Sequence, residues 1–329
     1  MARVLILGGG GMVGQKLARR LDRDGLPGAG RPELHLQDIA PPDVSGPRAQ
    51  ARTGDLTDPS EIARIAAERY DMIFHLASVV SGEAEADFDK GWQTNLWPTW
   101  TLLEALRAQH AASGGAYRPK LIFTSSIAVF GGPYPEKLDD AFHASPQTSY
   151  GAHKAACELL IQDFTRKGFI EGMSLRLPTI CVRPGKPNTA ASSFFSGIIR
   201  EPLNGEEAIL PVADTVRHTH ASPRSAAGFL RHAAGLSRDA IGAKTAINLP
   251  GISCSVAEQI EALRDVAGSE AVARIRSQPD ETIAKIVSGW PETFDPARAL
   301  ALGFHAEESF KEIIEVYIAD DLPRDPGRA

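Results

Sequence analysis

The stretch that decides the fold is Val4-Leu5-Ile6-Leu7-Gly8-Gly9-Gly10-Gly11-Met12-Val13-Gly14, close to the start of the chain. Its apolar residues predict a short buried strand, and the glycines lead into a predicted helix over 12–24. Glycines three residues apart suit a tight turn, a close approach of the backbone to a pyrophosphate, and close packing of helix on strand. The first amides of the helix would face the phosphates, so this stretch predicts a dinucleotide site.

An acidic residue downstream supports that prediction. Asp38 follows a second predicted strand and lies 24 residues beyond Gly14, near the distance at which a carboxylate accepts hydrogen bonds from the adenosine ribose. A carboxylate there repels a 2′-phosphate, and Ile39-Ala40-Pro41 supplies no cation to offset it. We therefore expect NAD rather than NADP. A P-loop fits poorly, because Gly14-Gln15-Lys16 lacks the Gly-Lys-Ser/Thr sequence.

Outward from this stretch, short β-rich runs alternate with helical segments through the N-terminal half. The runs are 4–7, 33–37, 72–76 and 120–124, and the helical segments are 12–24, 59–69, 90–112 and 149–167. The alternation predicts crossover units, and hence an α/β Rossmann fold with a doubly wound parallel sheet covered by helices on both faces.

The pattern loses its regularity after a further predicted strand at 173–177, where prolines become frequent. We expect a Rossmann domain over 1–176 and a smaller substrate lobe over 177–329. Helical stretches near 192–202, 222–236, 255–267 and 306–318 are interleaved with apolar runs at 208–212 and 245–249. Part of this half, about 210–245, is expected to return to the Rossmann sheet, which makes the lobe partly discontinuous in sequence.

Composition limits the classes of protein that this chain can be. The 329 residues are 43% hydrophobic and 23% charged, as in ordinary globular proteins, and no apolar stretch approaches the ~20 residues of a membrane span. The net charge of −6 gives no basis for binding a nucleic acid backbone. The first apolar run is too short for a signal peptide, so a cytoplasmic protein is expected.

Cysteine spacing bears on metal binding and on disulfides. Cys157, Cys181 and Cys254 are far apart in sequence and form no Cys-x-x-Cys or clustered Cys/His pattern. We expect buried free thiols, with neither a disulfide framework nor a metal site.

A tyrosine and a lysine carry the predicted chemistry. The predicted strand at 120–124 leads into the hydroxyls of Ser125 and Ser126, and ligands bind at strand carboxyl ends in open α/β sheets. Tyr150 and Lys154 begin a predicted helix, and their i, i+4 spacing places the phenol and the ammonium on one face. A tyrosine has a pKa of about 10, so acting as a base at neutral pH requires a fixed cation. Tyr-x-x-x-Lys alone is also a frequent surface pair, and only its context favours catalysis.

Taken in order, these features resemble the extended short-chain dehydrogenase/reductase superfamily over roughly residues 1–180. The matching features are Gly8-x-x-Gly11-x-x-Gly14, Asp38, Asp55-Leu56, His75-Leu76-Ala77-Ser78, Asn95, Ser125-Ser126 and Tyr150-x-x-x-Lys154. The resemblance implies an NAD-dependent oxidoreductase. As a family-level expectation, it also implies a homodimer formed through two helices of each subunit.

The resemblance assigns roles to individual residues. It implies that Ser126 hydrogen-bonds the reacting oxygen, Tyr150 moves the proton, and Lys154 also binds the nicotinamide ribose. Asn95 is expected to brace its helix rather than to react. The full set of implied cofactor-binding residues is Gly8, Gly11, Met12, Val13, Asp38, Asp55, Leu56, Ala77, Asn95, Tyr150, Lys154 and Pro178.

Other segments indicate the substrate class. Thr179 ends Arg176-Leu177-Pro178-Thr179, where nucleotide-sugar epimerases and dehydratases typically have Arg-x-x-Asn, which weakens the case for a nucleotide sugar. Segments 78–83, 188–194 and 289–294 are similar to the branch that contains D-erythronate 2-dehydrogenases. That similarity implies NAD-dependent oxidation of the 2-hydroxyl of a small sugar acid to the 2-oxo acid.

Two alternatives accompany this hypothesis. A nucleotide-sugar 4-epimerase would use the same tyrosine and NAD, and would regenerate the cofactor in each turnover. A non-catalytic NAD-binding regulatory protein is disfavoured because Tyr150 and Lys154 are both present, whereas such proteins often lose one of them.

The carboxylate of a sugar acid needs a cation or a cluster of donors. Arg183 is a candidate, because a guanidinium pairs bidentately with a carboxylate, and a solvated loop charge is its alternative role. Ser81 and Ser192 are candidate hydroxyl partners, beside Ser126 and Tyr150.

Two histidines and three tryptophans have open or structural roles. For His218 and His220, on either side of Thr219, a substrate contact and a structural hydrogen bond are equally open. The tryptophans of the 90–112 helix are expected to serve packing; they are Trp92, Trp97 and Trp100.

Overall fold

The computed structural model describes residues 1–44, 46–185 and 190–323. Of the 188–194 segment singled out above, residues 188 and 189 lie outside the described part. The strands are β1 (Arg3–Leu7), β2 (Glu33–Asp38), β3 (Ala49–Thr53), β4 (Met72–His75), β5 (Lys120–Ser126), β6 (Glu171–Leu177), β7 (Thr179–Ile180), β8 (Ala208–Leu210), β9 (Arg217–Ala221), β10 (Ala246–Asn248), β11 (Ile252–Ser255) and β12 (Ile275–Ser277).

The α-helices of the described part connect these strands, and a short 3₁₀ helix (Ile127–Val129) follows β5. They are α1 (Met12–Asp24), α2 (Pro59–Ala67), α3 (Ser81–Ala86), α4 (Phe88–Asn95), α5 (Trp97–Ala112), α6 (Ser149–Arg166), α7 (Ser193–Leu203), α8 (Pro223–Gly235), α9 (Arg238–Ile241), α10 (Val256–Val272), α11 (Glu281–Ser288), α12 (Ala297–Ala301) and α13 (Phe310–Asp320). No helix in these ranges combines the length and the apolar character needed to cross a membrane.

Seven strands form one parallel sheet in the order β10-β6-β5-β4-β1-β2-β3. This confirms the predicted doubly wound Rossmann architecture. The chain winds outward in opposite directions from β1 and β4, so a crevice opens between the carboxyl ends of these two strands. Ligands bind at such a point in open α/β sheets.

Alternation within β1 builds the two layers of the core. Val4 and Ile6 face one side, where residues of α1 and α8 pack on the sheet. Leu5 and Leu7 face the other side and pack with residues of α2, α5 and α6. Because both faces are covered, the strand is apolar at almost every position, and it holds the glycine turn rigidly at its end.

The C-terminal half forms a smaller lobe and also completes the main sheet. Two small sheets, β11-β9-β7 and β12-β8, surround a third apolar cluster with α7, α10 and α13. β10 leaves this lobe and pairs with β6, and α8 packs on α1. The strand that returns therefore lies just beyond the 210–245 segment. The division at 176 stays a prediction.

Candidate active site

The glycine turn at the end of β1 is closely packed. Gly8 has a φ of +81°, and a Cβ there would lie 2.6 Å from the amide nitrogen of Ala77. A Cβ at Gly14 would lie 2.4 Å from the carbonyl oxygen of Gly8. Any side chain at either position would separate α1 from β1 or β1 from the segment after β4. The turn therefore brings Ala77 beside Gly8, and the contact of Ala77 with the cofactor stays a prediction.

The start of α1 is open to an anion. α1 begins at Met12, Gly11 is its N-cap, and among the described residues no side chain caps it. Its first turn contains no acidic residue, so the amides and the positive end of the helix dipole face outward uncompensated. These features fit the pyrophosphate of a dinucleotide.

Asp38 lies at the carboxyl end of β2, beside the turn. Its Oδ2 accepts a hydrogen bond from the Gly10 amide at 2.9 Å, and Oδ1 accepts one from the Ile39 amide at 2.8 Å. These bonds fix a carboxylate next to the glycines with part of its surface exposed. The position fits a partner for ribose hydroxyls, so the residues present suit NAD.

The short 3₁₀ turn that follows β5 packs against the beginning of α6. The Oγ of Ser126 accepts a hydrogen bond from the Ala128 amide at 3.1 Å. A Cβ at Gly151 would lie only 2.1 Å from the carbonyl oxygen of Ala128. Gly151, which the sequence analysis did not single out, thus lets the first turn of α6, and with it Tyr150, approach the Ser126 segment.

Lys154 is buried, and its ammonium has a defined position. Its Nζ donates a hydrogen bond to the carbonyl oxygen of Thr124 at 2.8 Å and lies 4.6 Å from the centre of the Phe123 ring. The same nitrogen lies 5.4 Å from the centre of the Tyr150 ring. The ammonium is therefore anchored on β5 beside the phenol, as the i, i+4 spacing predicts.

A buried ionic network lies behind these residues, and the sequence analysis did not predict it. Ser125 Oγ donates to Glu158 at 2.5 Å, and Glu158 forms a bidentate pair with Arg176, with 2.9 and 2.7 Å for the shortest bonds from Nε and Nη2. Arg176 also donates to Asn248 Oδ1 at 3.2 Å. A signal was available: Glu158 lies four residues after Lys154 on the same helix face, and a charge there needs a buried partner.

Asn95 supports the loop after β4. Its Oδ1 accepts from the Val79 amide at 2.8 Å, and its Nδ2 donates to the Val79 carbonyl at 3.3 Å. The side-chain amide of Asn95 therefore holds the loop at Val79 and also lies 3.4 Å from His153 Nδ1, while its bracing of the helix and its contact with the cofactor stay predictions.

The other implied cofactor residues occupy loops at the sheet's edge. Asp55 accepts from the Thr57 amide at 2.8 Å in the turn after β3, with Leu56 beside it. Pro178 separates β6 from β7. Cofactor contacts of these three residues, and of Met12 and Val13, remain predictions.

Arg183 is partly buried, and its Nε donates to the Ile180 carbonyl at 3.0 Å. Burial lowers its pKa, while the nearby Cys181 and Tyr150 raise it. The guanidinium thus lies within electrostatic range of the phenol, which keeps it a candidate for binding the substrate.

Ser81 and Ser192 lie at the start of two helices. Ser81 begins α3, a helix that contacts α6 through a 2.9 Å hydrogen bond from the Ser149 amide to Glu85. Ser192 is the N-cap of α7. Their predicted contacts with substrate remain predictions.

The two histidines are structural. His218 Nε2 lies 2.8 Å from Thr179 Oγ1, and His220 Nε2 lies 3.0 Å from the side-chain nitrogen of Gln259. Both rings are buried. Burial lowers the pKa of His218 to about 4 and that of His220 well below its ordinary value, so both are neutral at pH 7.

The three tryptophans differ in how far they are exposed, and the three cysteines are buried free thiols, as predicted. Trp92 packs edge to face on His153, with 4.9 Å between the ring centres. Trp97 and Trp100 are 53% and 40% exposed, so packing within the chain does not account for them. The predicted buried free thiols are confirmed at all three cysteines.

Known proteins of similar sequence match this chain over nearly its whole length. A family model described as the NAD dependent epimerase/dehydratase family matches residues 4–219. The chain is 44% identical to D-erythronate dehydrogenase of Cupriavidus necator over 323 residues, which covers 96% of this chain and 98% of that protein. It is 39% identical to D-erythronate dehydrogenase of Haemophilus influenzae over 327 residues, which covers 97% and 100%.

Solved structures agree with the fold. A nucleoside-diphosphate-sugar epimerase from Agrobacterium tumefaciens is 51% identical, with a TM-score of 0.94 over 98% of this chain and 94% of that one. An L-threonine dehydrogenase from Clostridium difficile is 21% identical, with a TM-score of 0.82 over 97% of both chains, and shows similarity of fold alone.

Proposed function

The chain belongs to the NAD dependent epimerase/dehydratase family, and from this membership we propose that it oxidises the 2-hydroxyl of a small, D-erythronate-like sugar acid to the 2-oxo acid. Its general activity is that of an NAD-dependent dehydrogenase acting on a CH–OH group. The proposal adds the substrate, the product and the residues that act.

The observation that carries the proposal is the fixed ammonium of Lys154 beside Tyr150. The 2.8 Å bond to Thr124 holds Nζ on β5, and Nζ lies 5.4 Å from the centre of the Tyr150 ring. A fixed positive charge beside the ring stabilises the negative charge that develops on the Tyr150 oxygen during proton transfer. Tyr150 then accepts the proton of the substrate hydroxyl through its Oη.

Ser126 and the glycine turn complete the proposed site. Ser126 Oγ donates a hydrogen bond to the reacting oxygen and orients it toward Tyr150. The uncapped amides of α1, with Gly8 and Gly11, hold the pyrophosphate, and Asp38 holds the adenosine ribose. NAD, when bound, supplies the acceptor for the hydride.

Arg183 fits a substrate that carries a carboxylate. It is partly buried, its Nε is held by the Ile180 carbonyl, and Tyr150 is close enough to raise its pKa. A guanidinium with a fixed orientation pairs well with a carboxylate. The two similar D-erythronate dehydrogenases support the same substrate class.

A nucleotide-sugar epimerase is the second candidate, because a solved structure described as a nucleoside-diphosphate-sugar epimerase is 51% identical to this chain. Thr179 argues against it. Its hydroxyl, which stands where the asparagine of Arg-x-x-Asn would be, is bonded to buried His218 at 2.8 Å.

We also propose a cytoplasmic homodimer formed through α5 and α6. Four large apolar side chains lie exposed on α4, α5 and α6, and a second copy of the chain would cover them. They are Phe88, Trp97, Trp100 and Leu159, with exposed fractions of 60%, 53%, 40% and 68%.

The test of the proposed reaction is a panel of four-carbon and five-carbon aldonic acids with NAD, followed by NADH absorbance. Sustained NADH formation equal to 2-oxo acid formed is expected for D-erythronate. An epimerase would give no net NADH with acids and would convert nucleotide sugars instead. That result would replace the proposed function.

Tyr150→Phe is expected to lower kcat at least ~100-fold, since a general base contributes about 10²–10⁴, while NAD binding measured by calorimetry is unchanged. Tyr117→Phe is the matched control. This variant also removes one tyrosine hydroxyl, which lies outside the proposed site and donates a 2.9 Å hydrogen bond to the Tyr70 carbonyl. It should retain activity. Retained turnover in Tyr150→Phe would falsify the assigned role.

A further inference from the structure

A second cleft lies on α1, away from the glycine turn. It has a volume of about 660 Å³ and shares no lining residue with the proposed active site. Its walls are the second half of α1, α8, the segment 303–307 and α13. Arg20 lies eight residues after the start of α1, about 12 Å along the helix from the turn that faces the cofactor.

Three guanidiniums line the α1/α8 side of this cleft. They belong to Arg20, Arg224 and Arg231. Arg224 forms a bidentate pair with Asp320, at 3.0 and 2.6 Å. Arg231 donates to the backbone carbonyls of Gly25 and Asp24, at 2.7 and 3.1 Å.

Arg20 has no comparable partner among the described residues. Its one hydrogen bond, from Nη1 to the Arg224 carbonyl, is 3.5 Å long, and its Nε is buried without a hydrogen bond. Asp24 lies 3.5 Å from that Nε, but the same carboxylate is bonded to Arg23 at 2.7 and 3.0 Å. The positive charge of Arg20 is therefore weakly compensated.

The opposite wall carries three carboxylates: two accept hydrogen bonds, and the third, Glu315, is exposed to solvent. Glu307 accepts from the Ser222 and Ser225 hydroxyls and from the Ser222 amide, and Glu312 accepts from the Glu308 amide at 3.1 Å. On the α1/α8 side of the cleft, away from these carboxylates, the hydrogen-bonding capacity left over is therefore donor capacity, which suits a ligand rich in acceptors.

A glycine in the middle of α8 forms the floor beneath Arg20. A Cβ at Gly228 would lie 3.4 Å from Arg20 Nη1 and meet no other group nearby. Gly228 presents helix backbone to the guanidinium, and a methyl group at this position would be in ordinary van der Waals contact with it. Burial lowers the pKa of Arg20, Asp24 raises it, and the nearby arginines lower it further, so a bound anion would relieve the repulsion.

We propose that this cleft binds a small multivalent oxyanion, a compound with a phosphate group or clustered carboxylates, through Arg20 and the free guanidinium edge of Arg231. The proposal is independent of the chemistry at Tyr150. Phosphate compounds and polycarboxylates are both anions rich in hydrogen-bond acceptors, and two probes distinguish between them.

The test is binding of inorganic phosphate and of citrate, by calorimetry and by thermal unfolding. NAD is kept saturating to fill the pyrophosphate site, and potassium chloride holds the ionic strength constant. One or both probes should bind and raise Tm by a few degrees. Phosphate alone indicates phosphate esters, and citrate alone indicates polycarboxylates.

Two variants locate the binding. Arg20→Gln should weaken it at least ~10-fold, as loss of a charge-assisted hydrogen bond predicts. Gly228→Leu, which places a side chain in the cleft, should do the same if Arg20→Gln proves poorly folded. Arg19→Gln, on the exposed face of the same helix, should bind like the wild type. Binding unaltered in both cleft variants, or no binding of either probe, overturns the proposal.

Discussion

A single side chain, Lys154, joins the fold to the chemistry. A buried ammonium is unfavourable unless it is paired or hydrogen-bonded, and here a backbone carbonyl and an aromatic ring receive it. The Phe123 face, 4.6 Å away, adds a cation–π contact. These neighbours carry no full negative charge, so the field of the ammonium is not cancelled before it reaches Tyr150.

Arg183 provides the test of substrate class at the residue scale. If its guanidinium pairs with the substrate carboxylate, Arg183→Ala should raise KM for the acid about 10-fold to 100-fold, the effect of losing a charge-assisted contact of ~1.5–3 kcal/mol. Neutral polyols of the same length should change little. Steady-state kinetics on both substrates measures the difference.

A matched control exists for that experiment. Arg276 is exposed and pairs with Glu207, at 2.6 Å, in the small lobe, so Arg276→Ala should leave both values of KM unchanged. If Arg183→Ala raised KM equally for the acid and for the polyol, this arginine would support the site without binding the carboxylate.

At the scale of elements, β5 and α6 are joined by two polar contacts one helical turn apart. Lys154 donates to the Thr124 carbonyl, and Glu158 accepts from Ser125. The two contacts fix α6 along the strand, and with it the position of Tyr150 relative to Ser126. Gly151 allows the close approach at the start of the helix.

Glu158 should therefore be essential for stability. Glu158→Ala leaves Arg176 buried without its carboxylate, and we expect a loss of about 3–5 kcal/mol, measured as a fall in Tm. Adding Arg176→Leu should restore part of that loss, because no isolated charge remains. Glu261→Ala, which removes an exposed i, i+3 pair with Arg264, should change stability by less than ~0.5 kcal/mol. A similar Tm in Glu158→Ala and Glu261→Ala would contradict this role.

Strongly patterned elements could be predicted from sequence, and weakly patterned ones could not. The helix predicted over 12–24 is α1, with the same bounds. The helix predicted over 90–112 divides at Leu96, because Pro98 near the start of α5 has no amide hydrogen to continue the hydrogen bonding. The edge strand β3 escaped prediction because Ala49–Thr53 has no apolar run and is half exposed.

Features set by neighbouring residues can be recognised in the sequence, whereas contacts between distant elements cannot. The helix predicted over 306–318 begins later, at Phe310, because Ser309 caps it by accepting from the Glu312 amide. That Ser-x-x-Glu pattern was readable in the sequence. The contact of Glu158 with Arg176 was not, since it joins α6 to β6 and depends on the register between them.

At the scale of the whole molecule, the two lobes are joined because the C-terminal half contributes elements to the main sheet and its covering helices. β10 comes from the C-terminal half yet completes the sheet beside β6, and α8 packs on α1 and against β5 and β6. Lys16 of α1 also pairs with Asp321 at 2.7 Å, just after α13. The lobe that would hold the substrate is thus tied to the domain that would hold NAD at several points.

The exposed apolar face on α4, α5 and α6 provides the prediction for the assembled protein. Charge at its centre should prevent a second copy from covering it, because an ammonium buried between two apolar faces has no partner. Light scattering after gel filtration should give about twice 35.2 kDa for the wild type and the single-chain mass for Leu159→Lys. Leu300→Lys, which changes an apolar side chain that is 47% exposed on α12, should remain dimeric. A wild type that elutes at the single-chain mass would exclude the dimer, and dissociation by Leu300→Lys alone would place its interface elsewhere.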